Sequence, residues 1–352
     1  MTTQRETVLV TGGAGFIGSH VVERLVKSGY RVLVLDLLTY AGNPANLESV
    51  AGHHRYLFTQ GNICDGTLVA KLLSAHQPSA ILNIAAETHV DRSIDDASAF
   101  IKTNVEGTYR MLEAVLAHWR ELPEASRADF RFIQMSTDEV YGSIAAGEFS
   151  EASNYAPNSP YAASKAAGDH LVRAYHITYG LPAIIVHASN TYGPRQYPEK
   201  LIPHMLLAAT NGRPLPVYGE GKNVRDWMHV HDLVDGLERV MERGLQGEIY
   251  NFAGGNERCN IDIVKLICSH LTRLSPSPRD YKESITFVTD RPGHDLRYAM
   301  SNSKVKRELL WRPSTDFEDG LFDTIEWYLH NMEWCSAVLS RGYKGVRIGT
   351  RK

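Results

Sequence analysis

Five residues near the middle of the sequence have the types and spacing of an acid–base site. Thr137, Asp138 and Glu139 are consecutive, and Tyr161 and Lys165 follow after a short loop. Two adjacent carboxyl groups suit paired proton transfer, because one can accept a proton while the other donates one. A tyrosine serves as a base near neutral pH only if a fixed cation stabilises its phenolate, and a lysine four residues along the same helix face is placed to do so.

The elements predicted around these residues would place them at one edge of a sheet. An apolar run at 132–135 predicts a buried strand just before Thr137, and ligands of open α/β sheets bind outside the carboxyl ends of strands. Strands and helices alternate through the first half of the chain, which favours a parallel sheet with right-handed crossovers. The predicted strands are 7–10, 31–35, 56–59, 80–84, 132–135, 183–187 and 248–252, and the predicted helices are 16–27, 97–118, 161–179 and 316–329.

A glycine-rich turn after the first predicted strand indicates a dinucleotide site. The stretch Thr11-Gly-Gly-Ala-Gly-Phe-Ile-Gly18 joins that strand to a helix. Its glycines Gly12, Gly15 and Gly18 permit a tight turn and let the backbone approach a pyrophosphate at the helix N-terminus. Asp36 ends the next strand, at about the spacing expected of a ribose-hydroxyl ligand. Because an acid there repels a 2′-phosphate, the sequence favours NAD over NADP.

Two further turns at the same sheet edge extend this predicted NAD site. The segment Gly61-Asn-Ile-Cys-Asp65 follows the third strand, where we expect it to meet the adenine. Ala85 and Ala86 follow the fourth strand, and their small side chains would let the dinucleotide pass close to the sheet. The sequence therefore predicts an NAD-dependent enzyme on a Rossmann-type, doubly wound α/β sheet.

The length of 352 residues allows one large domain or a nucleotide-binding domain with a smaller partner. The alternating pattern occupies 1–188, whereas the chain from 189 to 352 becomes rich in proline, glycine, arginine and aromatic residues. We predict a Rossmann domain at 1–188, rejoined by about 230–256, and a smaller mixed α/β region, mainly 189–352, that binds substrate. The basic tail from Arg341 to Lys352 is expected to be a solvated terminus.

Composition excludes several classes of function. The net charge of -3 provides no electrostatic footprint for nucleic acid or for an anionic membrane. No apolar run approaches the roughly 20 residues needed to cross a bilayer, and the start of the chain has no apolar signal-peptide core. Four scattered cysteines predict neither a disulfide framework nor a metal site. We expect a cytoplasmic protein without a bound metal.

Motifs along most of the sequence match the pattern of one enzyme family. They are Thr11-Gly-Gly-Ala-Gly-Phe-Ile-Gly18, Ala86-Glu-Thr-His-Val-Asp-Arg-Ser93, Ser136-Thr-Asp-Glu-Val-Tyr-Gly142, Tyr161-Ala-Ala-Ser-Lys165, Pro198-Glu-Lys-Leu-Ile-Pro203, Asn223-Val-Arg-Asp-Trp227 and Asp290-Arg-Pro-Gly-His-Asp295. With them the chain resembles the extended short-chain dehydrogenase/reductases of the NAD-dependent epimerase/dehydratase family, most closely the dTDP-glucose 4,6-dehydratases. The resemblance runs from Thr7 to about Trp334. Related sugar-nucleotide epimerases share the first and fourth motifs but typically lack the Asp-Glu pair.

The resemblance implies an NAD-dependent lyase that converts dTDP-glucose to dTDP-4-keto-6-deoxyglucose. In this reaction the sugar C4 is oxidised, water is eliminated from C5 and C6, and a hydride returns to C6. Tyr161 and Lys165 would serve the oxidation. By the same resemblance Glu139 removes the C5 proton, Asp138 protonates the leaving C6 hydroxyl, and Thr137 binds the C4 oxygen.

The resemblance also implies two sets of ligand-binding residues and a homodimer. The residues for NAD are Gly12, Gly15, Phe16, Ile17, Gly18, Asp36, Thr39, Asn62, Ile63, Ala85, Ala86, Thr88, Thr103, Tyr161 and Lys165. The residues for the nucleotide sugar are Thr88, Thr137, Asn190, Lys200, Leu201, Pro216, Tyr218, Arg225, Asn260, Arg291 and His294. The cationic members of the second set could hold a diphosphate. Relatives commonly dimerise through two long helices, which correspond here to 97–118 and 161–179.

Two residues depart from the family pattern, and alternatives to the main function stay open. Asn62 stands where an Asp against the adenine is usual; this change would weaken adenine binding modestly, because the amide oxygen still accepts a hydrogen bond. His231 stands where Glu is common, with no consequence that we can assign. The alternatives are a UDP-sugar 4,6-dehydratase, a nucleotide-sugar 4-epimerase that uses the same Tyr161, and a non-catalytic NAD-binding protein, since a fold does not determine function.

Overall fold

A seven-stranded parallel sheet forms the centre of the computed structural model, which describes residues 6–340. The strands along the chain are β1 Thr7–Thr11, β2 Arg31–Asp36, β3 Tyr56–Gln60, β4 Ala80–Asn83, β5 Arg131–Thr137, β6 Ala183–Ala188, β7 Asn190–Tyr192, β8 Leu215–Tyr218, β9 Val224–His229, β10 Ile249–Phe252, β11 Glu257–Cys259 and β12 Ile285–Val288. The order in the main sheet is β10-β6-β5-β4-β1-β2-β3, and neighbouring strands are parallel. This is the doubly wound Rossmann order with β10 added beside β6, so the predicted fold class is confirmed.

Helices connect the strands and fill the second region. They are α1 Phe16–Lys27, α2 Gly66–His76, α3 Val90–Asp95, α4 Ser98–Phe100, α5 Thr108–Glu121, α6 Glu124–Asp129, α7 Pro160–Tyr179, α8 Leu201–Thr210, α9 Val230–Arg243, α10 Asn260–Leu274, α11 Ser303–Glu308, α12 Phe317–His330 and α13 Met332–Ser340. Short 3-10 turns occupy Pro44–Val50, Asp138–Tyr141 and Tyr281–Ser284. Helix α1 has the predicted bounds, and α12 is shifted by one residue from the predicted 316–329.

The two faces of the sheet carry two separate apolar cores. Successive strand residues point to opposite faces, so Val8 and Val10 join one buried cluster while Leu9 joins the other. Side chains from α1 and α9 complete the first cluster, and side chains from α2, α5 and α7 complete the second. Because helices cover both faces, the strands are continuous apolar runs rather than alternating ones.

The predicted helix at 97–118 is interrupted by a π-helical stretch, Ile101–Gly107. Within this stretch the buried Asn104 donates hydrogen bonds to Ser164 Oγ at 2.9 Å and to Glu87 O at 3.0 Å. Its own Oδ1 accepts the Glu87 N–H at 2.9 Å. π-helical turns occur often at functional sites. The spacing of apolar residues did not predict this one, because the contacts that accompany it are side-chain hydrogen bonds to α7 and to the loop after β4.

Strand β4 ends at Asn83, one residue before the predicted Ile84, because a side chain replaces the sheet as hydrogen-bond partner. The Thr11 hydroxyl accepts the N–H groups of Ile84 at 3.1 Å and Ala85 at 3.2 Å. It also donates to Asn83 Oδ1 at 2.7 Å, and the Asn83 amide donates to Gln134 Oε1 at 2.8 Å. This buried chain of hydrogen bonds links the carboxyl ends of β1, β4 and β5, where the predicted site lies.

The remaining strands and helices form a second, smaller unit with its own core. Strands β11, β9 and β7 form one small sheet in that order, and β12 pairs with β8. Leu206, Ile267 and Ile325 from α8, α10 and α12 are fully buried in this core. Between β9 and β11 the chain returns to the main sheet: α9 packs against α1, and β10 pairs with β6.

Several features of residues 6–340 bear on the excluded classes of function. No helix in this range is both long and apolar enough to cross a membrane. All four cysteines are free, and within the same range no cluster of three or more His, Cys, Asp or Glu side chains could hold a metal ion. The basic tail from Arg341 to Lys352 lies outside the described residues.

Candidate active site

A cavity of about 230 Å³ lies at the carboxyl ends of β1, β2 and β4. All of the residues predicted to bind NAD line this cavity, from the glycine turn to the Tyr161 helix: Gly12, Gly15, Phe16, Ile17, Gly18, Asp36, Thr39, Asn62, Ile63, Ala85, Ala86, Thr88, Thr103, Tyr161 and Lys165. The structure therefore brings together in one place residues that are up to 153 positions apart, from Gly12 to Lys165.

The glycine turn brings backbone rather than side chains to the wall of this cavity. Gly12 has a φ of +68°, and a Cβ there would lie 2.8 Å from the Ala85 Cα. A Cβ on Gly18 would lie 2.1 Å from the Gly12 carbonyl oxygen, so both positions require glycine. Helix α1 begins directly after Gly15 without a side-chain cap. Its first N–H groups are therefore available to a diphosphate, as NAD binding requires.

The carboxylate of Asp36 is fixed at the end of β2. It accepts hydrogen bonds from Ala14 N at 2.9 Å and from Leu38 N at 2.7 Å. Burial raises the pKa of this carboxyl group, and the two amide donors act against that rise. Each carboxylate oxygen has a second lone pair, which suits a ribose diol. The turn and this acid together fit NAD.

Asn62 lines the far end of the same cavity and is held in a tight local turn. Its side-chain oxygen accepts the Cys64 N–H at 2.9 Å. One acceptor position of the amide is thus already in use. The expected contact with adenine must come from the second lone pair or from the amide N–H groups.

The acid–base residues occupy the end of β5 and the 3-10 turn that follows it. Thr137 is the last residue of β5, and its hydroxyl donates to Asp138 Oδ1 at 3.1 Å. The same hydroxyl is hydrogen-bonded to Tyr161. Thr137 and Asp138 line neither cavity; they are buried and reach the cavities through contacts with Tyr161 and Glu139. The threonine therefore sits between the phenol and the first carboxyl group.

The two adjacent carboxyl groups have different surroundings. Asp138 is only 3% exposed, and its Oδ2 has no hydrogen-bond partner among residues 6–340. Burial, reinforced by the charge of Glu139, raises the pKa of Asp138 to about 8. Burial also raises the pKa of Glu139, but the cations of Arg225, Arg291 and Lys200 oppose that rise. Asp138 is therefore a neutral acid below about pH 8, whereas the cations favour an ionised Glu139.

Tyr161 and Lys165 lie on the face of α7 that meets β5. Ser159 caps this helix by accepting the Ala162 N–H at 3.0 Å. Lys165 Nζ donates to the Met135 carbonyl oxygen at 2.6 Å, and burial lowers the pKa of the lysine to about 8. Burial, and then the charge of Glu139, raises the pKa of the Tyr161 phenol. Because the hydrogen bond of Lys165 goes to a backbone carbonyl group, the lysine would stabilise a Tyr161 phenolate through its charge and not through a hydrogen bond.

A second cavity of about 270 Å³ adjoins the first and includes Glu139 in its wall. Apart from Thr137, every residue predicted to bind the nucleotide sugar lines it: Thr88, Asn190, Lys200, Leu201, Pro216, Tyr218, Arg225, Asn260, Arg291 and His294. Thr88, Gln196, Glu199 and Lys200 line both cavities. The two cavities therefore share a wall, with Glu139 in the second and Tyr161 in the first.

The three cations of the second cavity are held in place by partners that leave donors free. Arg225 donates to the Asp295 carbonyl oxygen at 3.0 Å and lies 4.2 Å from the centre of the Tyr298 ring. Arg291 Nε lies 2.6 Å from Asp91 Oδ1. Lys200 Nζ donates to the Thr88 carbonyl oxygen at 2.7 Å. Because a guanidinium has five N–H donors and an ammonium three, each can still bind a phosphate oxygen.

Sequence reasoning missed several residues that shape these cavities. Asp91 pairs with Arg291 and accepts a hydrogen bond from Tyr218 at 2.9 Å. Glu199 is buried between the cavities and accepts from Tyr40 at 3.2 Å and from Arg92 Nε at 3.2 Å. Asp91 and Glu199 lie inside motifs of the family pattern, so the sequence contained a signal for both. Nothing in the sequence distinguishes Tyr40.

His231 lines neither cavity. Its ring lies 5.5 Å from His20 and 4.8 Å from His229, where α9 packs against α1. Burial lowers the pKa of all three imidazoles. The departure at His231 is therefore a change in helix packing rather than in ligand contact.

Known proteins similar to this chain match it over nearly its whole length. The family model for GDP-mannose 4,6 dehydratase matches residues 9–324. A dTDP-glucose 4,6-dehydratase of Xanthomonas campestris pv. campestris (strain B100) is 53% identical over 348 residues, covering 97% of this chain and 99% of that relative. The crystal structure of DesIV, a dTDP-glucose 4,6-dehydratase from Streptomyces venezuelae with NAD bound, has a TM-score of 0.87 and 45% identity over 94% of this chain and 99% of that one. A dTDP-glucose 4,6-dehydratase from Bacillus anthracis str. Ames in complex with NAD has a TM-score of 0.84 and 42% identity over 95% of this chain and 100% of that one.

Asp36 should select NAD against NADP. We expect NADP to bind at least roughly tenfold more weakly than NAD, a difference of about 1.4 kcal/mol, because the buried carboxylate repels the 2′-phosphate. Asp36→Asn should reduce the difference in affinity between NAD and NADP. The control Glu48→Gln, which removes a charge at an exposed position, should leave that difference unchanged. Titration of each protein with both dinucleotides measures the difference, and equal affinities in the unmodified protein would contradict the assignment.

Proposed function

The chain belongs to the dTDP-glucose 4,6-dehydratase family, and on that basis we propose that it is an NAD-dependent lyase that converts dTDP-glucose to dTDP-4-keto-6-deoxyglucose. The observation that carries the proposal is the contrast between two neighbouring carboxyl groups. Asp138 holds its proton up to about pH 8, whereas Glu139 faces three cations. A dehydration needs one acid and one base on the same substrate.

Oxidation at C4 is the first task that we assign. Bound NAD takes a hydride from C4 and later gives one back to C6. Tyr161 accepts the proton of the C4 hydroxyl, and the Lys165 cation stabilises the phenolate. The Thr137 hydroxyl, which is already bonded to Tyr161, orients the C4 oxygen.

Elimination of water is the second task. The C4 ketone acidifies the C5 proton, and Glu139 in the cavity wall removes it. Asp138 gives its proton to the departing C6 hydroxyl, which leaves as water. Because Asp138 must be protonated for this step, its contribution is available below about pH 8 and is lost above that pH.

The remaining roles concern binding of the two ligands. Arg225, Arg291 and Lys200 hold the diphosphate of the sugar nucleotide, supported by their position in the second cavity. We propose that residues 1–188, with 230–256, hold NAD and that 189–352 mainly hold the nucleotide sugar. A reducing location such as the cytoplasm is consistent with four free cysteines.

The product of the reaction separates this function from the alternatives. Incubation with dTDP-glucose should yield a 4-keto-6-deoxy sugar, which absorbs in alkali. A 4-epimerase would give a galactose epimer without that absorbance, and a non-catalytic NAD-binding protein would give neither product. A parallel incubation with UDP-glucose tests the base: faster turnover of the uridine substrate would overturn the thymidine assignment.

We also propose a homodimer formed through α5 and α7. These helices and the adjoining π-helical stretch expose large apolar side chains, with Ile101 at 52%, Tyr109 at 38% and Ile177 at 66% exposure. Sedimentation velocity should give twice the chain mass, and Ile177→Glu should shift the protein toward monomer. Leu310→Glu, at a 73% exposed apolar position in the loop after α11, is the matched control. A monomeric unmodified protein would contradict the proposal.

Tyr161→Phe should abolish turnover while leaving NAD binding nearly unchanged. The substitution removes the phenolic oxygen and keeps the ring against the cavity, so we expect a loss of roughly 10²- to 10⁴-fold in kcat. Steady-state kinetics and NAD titration measure the two effects separately. A variant with full activity would show that another group removes the C4 hydroxyl proton.

Substitutions of the two carboxyl groups should produce different defects. Asp138→Asn should slow water loss, and a substrate with fluoride at C6 should restore much of the rate, because fluoride leaves without full protonation. Glu139→Gln lacks the base for the C5 proton, so the same substrate should help it far less. It should also fail to exchange the C5 hydrogen with deuterated water.

Fluoride release and deuterium incorporation at C5 are the measurements for both variants. NAD and dTDP binding confirm that each variant retains its ligand sites. Equal rescue of the two variants, or normal C5 exchange in Glu139→Gln, would show that the roles of Asp138 and Glu139 differ from those proposed.

A further inference from the structure

A third ionisable residue follows Tyr161 and Lys165 at the same spacing on α7. Asp169 comes four residues after Lys165, so the three side chains recur on one face of the helix. Asp169 is 1% exposed and lines neither cavity. None of the roles proposed for the acid–base residues uses it.

The Asp169 carboxylate is the centre of a buried hydrogen-bond network. Its Oδ2 accepts from Ser136 Oγ at 2.7 Å and from Tyr155 OH at 3.3 Å, and it lies 3.1 Å from His187 Nε2. The other ring nitrogen of His187 lies 2.8 Å from Tyr141 OH. The network therefore joins α7 to β5, to β6 and to the turn that carries the two catalytic carboxyl groups.

Lys165 and Asp169 attach to consecutive residues of β5. The lysine ammonium donates to the Met135 carbonyl oxygen at 2.6 Å, and the aspartate accepts from the side chain of Ser136. Among residues 6–340 only His187 lies within ion-pair distance of Asp169. The carboxylate thus has no direct lysine or arginine partner, and its Oδ1 has no hydrogen bond in this range.

Burial works against the charge that Lys165 needs for its proposed role. Desolvation lowers the pKa of the lysine to about 8, and the charge of Asp169 opposes that fall. Without that charge the pKa of the amine would be lower still, so a smaller fraction of it would carry a proton. A neutral amine cannot stabilise a phenolate.

We propose that Asp169 is a positioning residue whose negative charge keeps Lys165 protonated beside Tyr161. This inference rests on the proposed roles of Tyr161 and Lys165. The hydrogen bonds from Ser136 and Tyr155 and the contact with His187 hold the carboxylate in place. Asp169 is not within ion-pair distance of Lys165, so it occupies none of the lysine N–H groups; one of them donates to the Met135 carbonyl oxygen and the others can face the cofactor cavity.

Other charged groups near this network act in defined directions. Asp169 adds to the rise in the pKa of Tyr141, Tyr155 and Tyr161, which opposes ionisation of these phenols. For Tyr161 its effect is smaller than that of burial, Glu139 or Asp138. For Lys165, in contrast, the charge of Asp169 is second only to burial.

The test is a direct titration of Lys165 in the holoenzyme. Lysine labelled with ¹³C at Cε reports the protonation of each amine by NMR, and Lys165→Arg identifies the signal. In Asp169→Asn, which keeps the shape and most hydrogen bonds, the midpoint of Lys165 should fall by about one pH unit. Asp169→Glu should restore it. Asp232→Asn, at a buried aspartate on α9 bonded to Ser314, is the matched control and should not change it.

The pH profile of turnover provides a second readout. Activity should fall as pH rises through the pKa of Lys165, and in Asp169→Asn this fall should begin at lower pH. The substrate with fluoride at C6 is used here, so that titration of Asp138 does not contribute. Tyr155→Phe removes one hydrogen bond to Asp169 but no charge, and the profile should stay in place.

Three results would overturn the inference: an unshifted Lys165 midpoint in Asp169→Asn, a shift of the same size in Asp232→Asn, or a shift of the same size in Tyr155→Phe. Thermal unfolding and NAD binding establish that each variant is folded, and Asp169→Gln provides the neutral test if the Asn variant does not fold. Failure of the dehydratase proposal is distinguishable, because it would appear as an inactive unmodified protein while the NMR titration still reports on Lys165.

Discussion

Burial of ionisable side chains at one edge of the sheet is the constraint on which the site depends. Asp138, Tyr161 and Lys165 are each less than a tenth exposed, and burial is the largest influence on the pKa of each. Removing water makes the neutral acid, the neutral phenol and the neutral amine more stable. The surrounding charges then favour or oppose ionisation of each group. Similar side chains, such as those of Asp138 and Glu139, can therefore take different roles.

The sheet creates this edge through its own hydrogen bonds. The chain of contacts from Thr11 through Asn83 to Gln134 holds three strand ends together and stops β4 where the cofactor cavity begins. The glycine turn then presents backbone to the cavity, since a side chain at Gly12 would collide with the loop after β4 and one at Gly18 would collide with the Gly12 carbonyl group. The rigid layers beneath explain how loop residues can be held in fixed positions.

The substrate side depends on cations held by the second region. Arg225 and Arg291 come from segments far apart in sequence, and both face the cavity that contains Glu139. Their charges also oppose the effect of burial on Glu139. In the proposed function, one set of residues both binds the diphosphate and favours ionisation of the proposed base, which would couple substrate recognition to catalysis in a single cavity.

Much of the fold could be predicted from the sequence because its signals are local. Alternating apolar strands and helices predicted the parallel sheet, and every strand predicted for it occurs within two residues of its expected bounds. The sequence analysis predicted a continuous helix and missed the π-helical stretch at Ile101–Gly107. The hydrogen bonds of the Asn104 side chain accompany this stretch, and they have no counterpart in the spacing of apolar residues. Motif spacing likewise predicted residues that the structure gathers into the two cavities.

The sequence by itself determined which residue types are present and the local elements that carry them, since propensity, glycine turns and helix spacing act over a few residues. Only the tertiary structure decided how those residues differ from one another. Asp138 and Glu139 are adjacent and similar in type. Yet Asp138 is buried and its Oδ2 has no hydrogen-bond partner within 6–340, whereas Glu139 faces three cations. Asp169 shares the four-residue spacing of Tyr161 and Lys165, but the sequence does not show which partners it meets. Its burial next to Ser136 and His187 arises from the packing of α7 on the sheet, because burial and long-range charge depend on segments that meet only when the chain folds.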